Sequence, residues 1–551
     1  MMAGPDGRRP AREKQVSSDD NCASPDVEGI ERGRFLGEYL PLGAILACSA
    51  LLHMPLAVMP LWRDQAQWLA ITMALLDGRV LYVDVAPSNL PGTAFAYAAG
   101  LGLVSDPAAA IALTHFGATA AVSIFAYLLI RDAFDRLAAI VGVGLFATMW
   151  PMLAVWGTIA QRDFLCLWCV VAATWAAMAG NWKRGVVAGL FVAGAAMFKT
   201  LYGGIGFVLV AMLLVRGEWR RALALCLGVA IAFAPLLLYL AWFGALDDAY
   251  LNVVEMALAH SGTKRVPATG VLSRMLIGLM FRQGLVVCCL ALVAIVRLAR
   301  GPGTTWWLIA PPLTTIGAAM AQGRGVLYHL EPTWALVVML AGIGATWLVS
   351  MPGMAPRLVS VAIAASIGHL FVVRANLPAD VDQPYAFGYG QWGRHLTHAL
   401  GGMSRDAYLS YYPSDSDNFP HPSVHQEAAD WIREHSDTEE SIVVWGAEPQ
   451  LYVLSGRTMA SQYPTSHPFV PLNDEGTLTP LQEQQRATLL SLMHAHRPAV
   501  VAVPNIDHWY SGNAEETLEQ WTELSEWLHD NYRLEHEVER LKLYLRNDKP
   551  N

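Results

Sequence analysis

Charge is what this sequence has least of. Only 15% of its 551 residues are Asp, Glu, Lys or Arg, against about 25% in a soluble domain. That shortage excludes a soluble globular enzyme and a disordered chain alike. Basic residues are in the minority, 37 Lys and Arg against 46 Asp and Glu, so the positive footprint of a nucleic-acid binder is missing. Cysteine is sparse where a disulfide would count. None follows Cys289, and the C-terminal part is therefore not held by disulfides. Cys166 and Cys169 have a redox or metal spacing, but they lie in an apolar run with no second pair, which reads as packing. No internal repeat is present. What the chain has in excess is hydrophobic residues, 54% of the total, more than a chain facing water on all sides can hide. It reads as a polytopic membrane protein.

The apolar residues cluster between Leu40 and Val373, in runs separated by short polar turns. Spanning a hydrocarbon core takes roughly 20 apolar residues as a helix, because no water is available to satisfy open backbone groups. Spans are expected at about 39–60, 107–130, 137–157, 164–180, 185–198, 200–215, 222–243, 284–299, 305–320, 333–350 and 358–373, eleven in all. Asn89–Val104, interrupted by Pro91, Gly92, Gly100 and Gly102, is expected to lie along the membrane or dip into it. Lys and Arg mark the cytoplasmic turns. With this count Arg131 and Arg136, Lys183 and Arg184, Arg216, Arg220 and Arg221, Arg297 and Arg300, and Arg357 share a side with the basic N-terminal tail. The tail (1–35) is then cytoplasmic and polar, without a cleavable signal peptide. The membrane domain covers 36–373 with a first outer loop at 61–106, and residues 374–551 lie outside the cytoplasm.

That last part reads as α/β: an amphipathic helix at Val424–His435, a strand at Ser441–Trp445 and a short helix over Pro449–Leu454. A helix at Leu478–His496, a buried strand at Ala499–Val503, a helix at Glu515–Asn531 and a closing strand pair at Leu534–Val538 and Leu541–Arg546 follow. Strands alternating with helices predict one small layered domain.

With the basic residues assigned to cytoplasmic turns, the ionisable groups at the outer ends of spans stand out, and such groups near lipid are functional candidates by default. They are Arg63-Asp64-Gln65 after the first span, Gln161-Arg162-Asp163, Lys199, and the segment Gln322–His329 with Arg324, Tyr328 and His329. Each has a plainer reading. Asp64 can cap a helix in an aromatic belt with Trp62 and Trp68, Arg162 and Asp163 can neutralise each other, Lys199 can snorkel, and Arg324 and His329 can be ordinary loop residues. One acid among several cations on one face is what a site needs if it activates a hydroxyl and holds a phosphate.

These residues carry a resemblance. Arg63-Asp64-Gln65-Ala66-Gln67-Trp68 through Asp77-Gly78-Arg79-Val80-Leu81-Tyr82-Val83-Asp84, with Pro87 to Pro91 beyond, is similar to the first outer loop of C-type (GT-C) glycosyltransferases, the protein O-mannosyltransferase and aminoarabinose-transferase superfamily. Gln161-Arg162-Asp163, Phe198-Lys199-Thr200 and Gly323-Arg324-Gly325 with Tyr328-His329 and Pro332 resemble further turns of its bacterial members. Trp445-Gly446, Pro449, Leu451-Tyr452 and Leu454–Arg457 resemble the outer domain many of them carry. The likeness covers the chain from residue 36. Many relatives have Asp-Glu where this chain has Asp64-Gln65, so one carboxylate is lost.

The resemblance implies a multi-pass enzyme of the bacterial inner membrane that moves a hexosyl or pentosyl unit, with inversion, from a polyprenyl-phosphate-linked sugar to a glycan, lipid or protein acceptor on the outer face. Asp64 would be the general base. Lys199, Arg324, Arg162, His329 and Tyr328 would hold the donor phosphate, with Asp163, Arg63, Lys264 and Arg265 as secondary candidates. Membrane lipids are partners and nucleic acid is not. No cofactor is firmly implied, and a divalent metal is not required because the cations are already in the chain. The competing reading is a polytopic transporter or lipid flippase. That reading predicts mid-membrane charges and repeated halves, neither of which the sequence shows.

Overall fold

The computed structural model describes residues 27–551 apart from 154–155, 262–265, 279–283, 354–356, 358–359, 361–390, 413–419, 472–475, 509–511 and 550–551. Lys264, Arg265 and nearly all of the span expected at 358–373 lie outside the described residues.

The membrane part is a bundle of helices: α1 (Val27–His53), α2 (Arg63–Leu76), α3 (Gly92–Leu103), α4 (Pro107–Ala133), α5 (Arg136–Leu153), α6 (Arg162–Leu165), α7 (Leu167–Met178), α8 (Trp182–Phe198), α9 (Ile205–Val215) and α10 (Trp219–Trp242). After these come α11 (Leu246–Tyr250), α12 (Met256–Ser261), α13 (Ala268–Gly278), α14 (Leu285–Ala299), α15 (Ala310–Gln322) and α16 (Leu327–Ser350). Helices occupy ten of the eleven segments read as spans. Five stretches of the described residues are long and apolar enough to cross a membrane by themselves: 37–58, 107–133, 136–153, 219–242 and 328–350. Asn89–Val104 forms α3, a helix of twelve residues, which docks closely at its start: a Cβ on Gly92 would fall 2.7 Å from the carbonyl of Met197.

Apolar helices in lipid gain little from hydrophobic burial against each other, so close backbone packing has to hold them. Small residues supply it here. A Cβ on Gly189 would sit 2.0 Å from the Leu225 carbonyl oxygen, and one on Gly228 would sit 2.1 Å from that of Val186, so α8 and α10 touch backbone to backbone. Gly142 and Gly342 do the same between α5 and α16, and Gly344 meets the Leu290 carbonyl of α14. Gly189→Leu is expected to separate α8 from α10 and to leave too little folded protein for a monodisperse peak in detergent size-exclusion chromatography; a normal elution profile would show the contact to be dispensable.

The basic turns meet at one end of the bundle. Arg131 bonds Glu38 and Tyr39 and Arg136 bonds the Gly37 carbonyl. Arg297 stacks on Phe134 and Arg184 on Trp175.

After α17 (Gln391–Ala399) and α18 (Arg405–Leu409), the C-terminal part folds as α/β around a five-stranded sheet in the order β2-β1-β3-β7-β6. Its elements are α19 (Pro422–His435), β1 (Ser441–Val444), α20 (Gln450–Ser455), β2 (Thr458–Met459), α21 (Pro480–His496), β3 (Val500–Pro504), a two-stranded ribbon β4–β5 (Asp507–His508, Gly512–Asn513), α22 (Ala514–Glu519), α23 (Thr522–Asn531), β6 (Tyr532–Val538) and β7 (Leu541–Arg546). β1 pairs parallel with β2 and β3, and β7 and β6 add antiparallel. β3 is buried over its whole length, as its unbroken Val-Val-Ala-Val run requires. The two-residue strands β2, β4 and β5 were not expected, being too short to carry an alternating pattern. The motif Leu454–Arg457 is structural. Gly456 takes φ +67° to end α20, and the buried Arg457 guanidinium donates to the Ser436 and Arg433 carbonyls, closing the C-terminus of α19.

This domain sits directly on the first outer loop. Gln462 donates to the Val83 carbonyl and accepts from the Ala86 N–H at 2.9 Å, Tyr463 bonds Asn252, and Arg405 donates to the Val58 carbonyl. The helix α2 is therefore enclosed between the membrane bundle and the sheet domain.

Candidate active site

Asp64 lies in the first turn of α2, where a carboxylate suits the positive end of the helix. It is half-buried and accepts a hydrogen bond from Gln161 Nε2 at 3.2 Å. Gln161 is itself fixed, donating to the Gly157 carbonyl at 2.9 Å. The turn before it is strained, since Ala160 has φ +53°, a left-handed conformation that costs a non-glycine residue roughly 1–2 kcal/mol. Two buried side chains hold it there: the Ala160 N–H donates to His115 Nδ1 at 3.1 Å and the Ala160 carbonyl accepts from the Tyr97 hydroxyl at 3.0 Å. Tyr97 also feels the charges of both Asp64 and Arg162, so acid and cation approach the same hydroxyl. Neither His115 nor Tyr97 was among the expected site residues; an apolar helix gives no sign of which hydroxyl or imidazole faces a site.

Gln65, the position of the missing carboxylate, is 2% exposed. Its oxygen accepts from the Trp62 N–H at 2.9 Å, and its nitrogen donates to the carbonyls of Ile159 at 2.8 Å and Trp156 at 3.3 Å. The side chain ties α2 to the strained turn. A Glu here would turn an oxygen towards two carbonyl oxygens, and Gln65→Glu is expected to lower stability by about 1–3 kcal/mol, read as a fall in the thermal midpoint at neutral pH. An unchanged midpoint would mean that the turn does not depend on this amide.

Asp163 and Lys199 form one buried unit. Lys199 Nζ lies 3.0 and 2.8 Å from the two carboxylate oxygens of Asp163. Tyr202 donates to the same carboxylate at 3.1 Å, and Gln322 bridges both partners. Asp163 thus turns to Lys199 and not to its neighbour Arg162, which it was expected to orient. Burial would push the Asp163 carboxyl up, but Lys199, His329 and Arg162 outweigh it and hold it below the usual carboxylate range. Burial pushes the Lys199 ammonium down, and Asp163 pulls it back.

With Lys199 neutralised, Arg162 is the cation left over. Its guanidinium lies 5.5 Å over the Trp68 ring, and its buried Nε has no hydrogen-bond partner among the described residues. His329, buried, lies at right angles to the Tyr328 ring at 4.5 Å, within electrostatic range of Lys199, Asp163, Arg162 and Arg324. Its Nδ1 is likewise without a hydrogen-bond partner among the described residues. Arg324 stands on a turn made by Gly323 and Gly325, φ +62° and +61°, and its carbonyl accepts from Arg274 of α13 at 3.2 Å. Arg274 is a further cation that was not expected. Arg63, two bonds along the chain from the acid, points the other way: its guanidinium meets Glu448 of the sheet domain at 2.6 Å, and Glu448 bonds His425 at 2.6 Å.

Asp64, Arg162, Asp163, Lys199, Arg324, Tyr328 and His329 therefore gather on the side of the bundle that faces the sheet domain. Among the described residues no group of three or more His, Cys, Asp or Glu could hold a metal. Cys166 and Cys169 are free and buried.

Residues 86–242 match the family model described as dolichyl-phosphate-mannose-protein mannosyltransferase. Two solved structures of ArnT from Cupriavidus metallidurans superpose over nearly the whole chain. The form bound to undecaprenyl phosphate gives a TM-score of 0.58 at 13% identity, covering 92% of this chain and 98% of that one. The chain has the GT-C fold. The apo ArnT gives 0.56 at 13% identity, covering 91% and 97%. No curated protein matches the sequence. The GT-C fold extends through both parts, since so high a coverage takes in the sheet domain as well as the helices. The span count of eleven remains a reading of the sequence.

Proposed function

We propose that this chain is a GT-C glycosyltransferase that moves one sugar from a polyprenyl-phosphate donor to an acceptor hydroxyl on the outer face of the membrane, with inversion. The observation that carries the proposal is the placement of one half-buried acid, Asp64, beside Arg162, a guanidinium without a hydrogen-bonded carboxylate partner, on the rim where membrane and sheet domain meet. Asp64 takes the proton of the acceptor hydroxyl as that oxygen attacks the anomeric carbon. The bond from this carbon to the phosphate oxygen breaks, and the electron pair leaves with the lipid phosphate. A positioned base contributes roughly 10²–10⁴ in rate. Arg162, whose planar fork matches phosphate oxygens, and Arg324 stabilise the departing phosphate, and His329 and Tyr328 line its position. Lys199 and Asp163 act as the rigid floor, with the ammonium oriented by the carboxylate. The sheet domain and the site then face outward and the basic turns face the cytoplasm, which fits a lipid-linked donor presented in the outer leaflet.

Deleting the gene and comparing lipid-linked and envelope glycans by mass spectrometry tests this reading. One glycan is expected to lose a terminal sugar while its lipid-linked precursor accumulates, and an Asp64→Asn copy should fail to restore it. Unchanged glycans would favour a flippase or transporter without transferase activity. Arg162→Ala is expected to weaken undecaprenyl phosphate binding by about tenfold or more, the loss of a charge-assisted pair; an unchanged Kd by titration in detergent would remove Arg162 from the donor site.

A further inference from the structure

A second cleft opens on the sheet domain, about 470 Å³ in volume, and the site described above does not use it. One wall is Pro60 and Leu61, which lead into α2. The others come from α18, α19 and α20, with His536 of β6. Its back wall includes two buried polar side chains. His425 holds Glu448, the carboxylate that receives Arg63. Gln450 is only 4% exposed and its amide oxygen has no partner among the described residues. A buried amide oxygen left unsatisfied costs about 1–3 kcal/mol, and a ligand hydroxyl in the cleft would satisfy it.

The rest of the lining has a consistent chemistry. Asp406, Glu427, Asp430 and Glu434 face Arg405 alone, and Asp430 is already paired with Arg433. Carboxylates and the amides of Gln426 and Gln450 offer acceptors and donors close together, the pattern a polyhydroxylated ligand needs. The Trp431 and His536 rings, stacked 5.5 Å apart, add an apolar side, as recognition of sugar C–H faces requires. Leu61 is three residues from Asp64, at most about 11 Å along the chain, so a single sugar in the cleft falls short of the base and a short chain of sugars reaches it.

We infer that this cleft binds the acceptor and that the acceptor is an oligosaccharide of neutral or amino sugars. The inference rests on the transferase reading above. The acidic lining disfavours glycans carrying carboxylate or phosphate, and the length argues against a lone sugar.

The test uses the full chain purified in detergent and calorimetric titration with three probes: neutral N-acetylchitotetraose, cationic chitosan tetramer and anionic tetragalacturonate. The first two are expected to saturate at about millimolar Kd, and tetragalacturonate is expected not to bind. Gln450→Leu and the rim variant Gln426→Ala should each weaken binding roughly fivefold or more. Gln450→Leu should not lower the thermal midpoint, because the oxygen it removes has no protein partner; a residue with a structural role would show the opposite. Asp64→Asn should bind the probes like wild type. Absence of saturable binding by the neutral and cationic probes, a preference for the anionic one, or equal affinity in both cleft variants would overturn the inference, whatever the fate of transfer. Persisting sugar transfer in Asp64→Asn, with normal probe binding, would instead remove the transferase assignment of Asp64 and leave the cleft standing.

Discussion

Asp64→Asn is expected to reduce sugar transfer by roughly 10²–10⁴-fold, the contribution of a positioned base, while leaving expression and the thermal midpoint unchanged. The amide is isosteric, and its oxygen can still accept from Gln161, whose own bond to the Gly157 carbonyl is untouched. The positive end of α2 loses a favourable charge, typically worth about 0.3–1 kcal/mol, which is too little to unfold the chain. The measurement is the initial transfer rate from a labelled polyprenyl-phosphate sugar at equal amounts of folded protein. A wild-type rate would exclude Asp64 as the base, and a large fall in midpoint would make it a structural cap beside Trp62 and Trp68.

Lys199→Ala is expected to fail for a different reason. It removes the ammonium from a carboxylate that is fully buried, and breaking such a pair costs about 3–5 kcal/mol because a charge is left unpaired. Tyr202 and Gln322 still donate to Asp163, but neither carries charge. The variant should therefore show low yield and a depressed midpoint before any donor affinity can be read. Lys199→Met combined with Asp163→Leu removes both charges and should regain most of the stability. If that double variant is stable yet inactive, the pair serves the reaction. If it is stable and active, the pair is only a strut. A stable Lys199→Ala would contradict the buried pair itself.

These outcomes bear on what a linear reading can reach. The gathering of Asp64, Arg162, Lys199 and Arg324 on one face was legible because charges in an apolar chain are few, and the turn each occupies follows from alternating spans. The order of helices and strands after residue 420 was legible because amphipathic and fully buried runs differ in period. Pairing was not. Asp163 stands next to Arg162 in the chain, and adjacency suggests a partner. The three-dimensional partner is Lys199, 36 positions away, chosen because α6 turns the carboxylate inward towards the end of α8. In the same way Arg63 looked like a neighbour of the acid and proves to be a link to Glu448. Gln65 looked like a lost carboxylate and is instead a three-way tie between a helix and a strained turn.

The enclosure of α2 has a consequence for synthesis. The ion pair between Arg63 and Glu448 joins residues 385 positions apart, and the bonds from Gln462 to the 83–86 turn span a similar stretch of chain. Translation runs from the N-terminus, so the helix carrying the base is made early while the surface that clamps it is made near the end. The acid has no finished surroundings while the polypeptide is still being threaded into the membrane. Those surroundings close only after the last domain has been exported and folded, which makes maturation of the whole molecule a single late event and leaves a truncated or half-inserted chain without a complete centre.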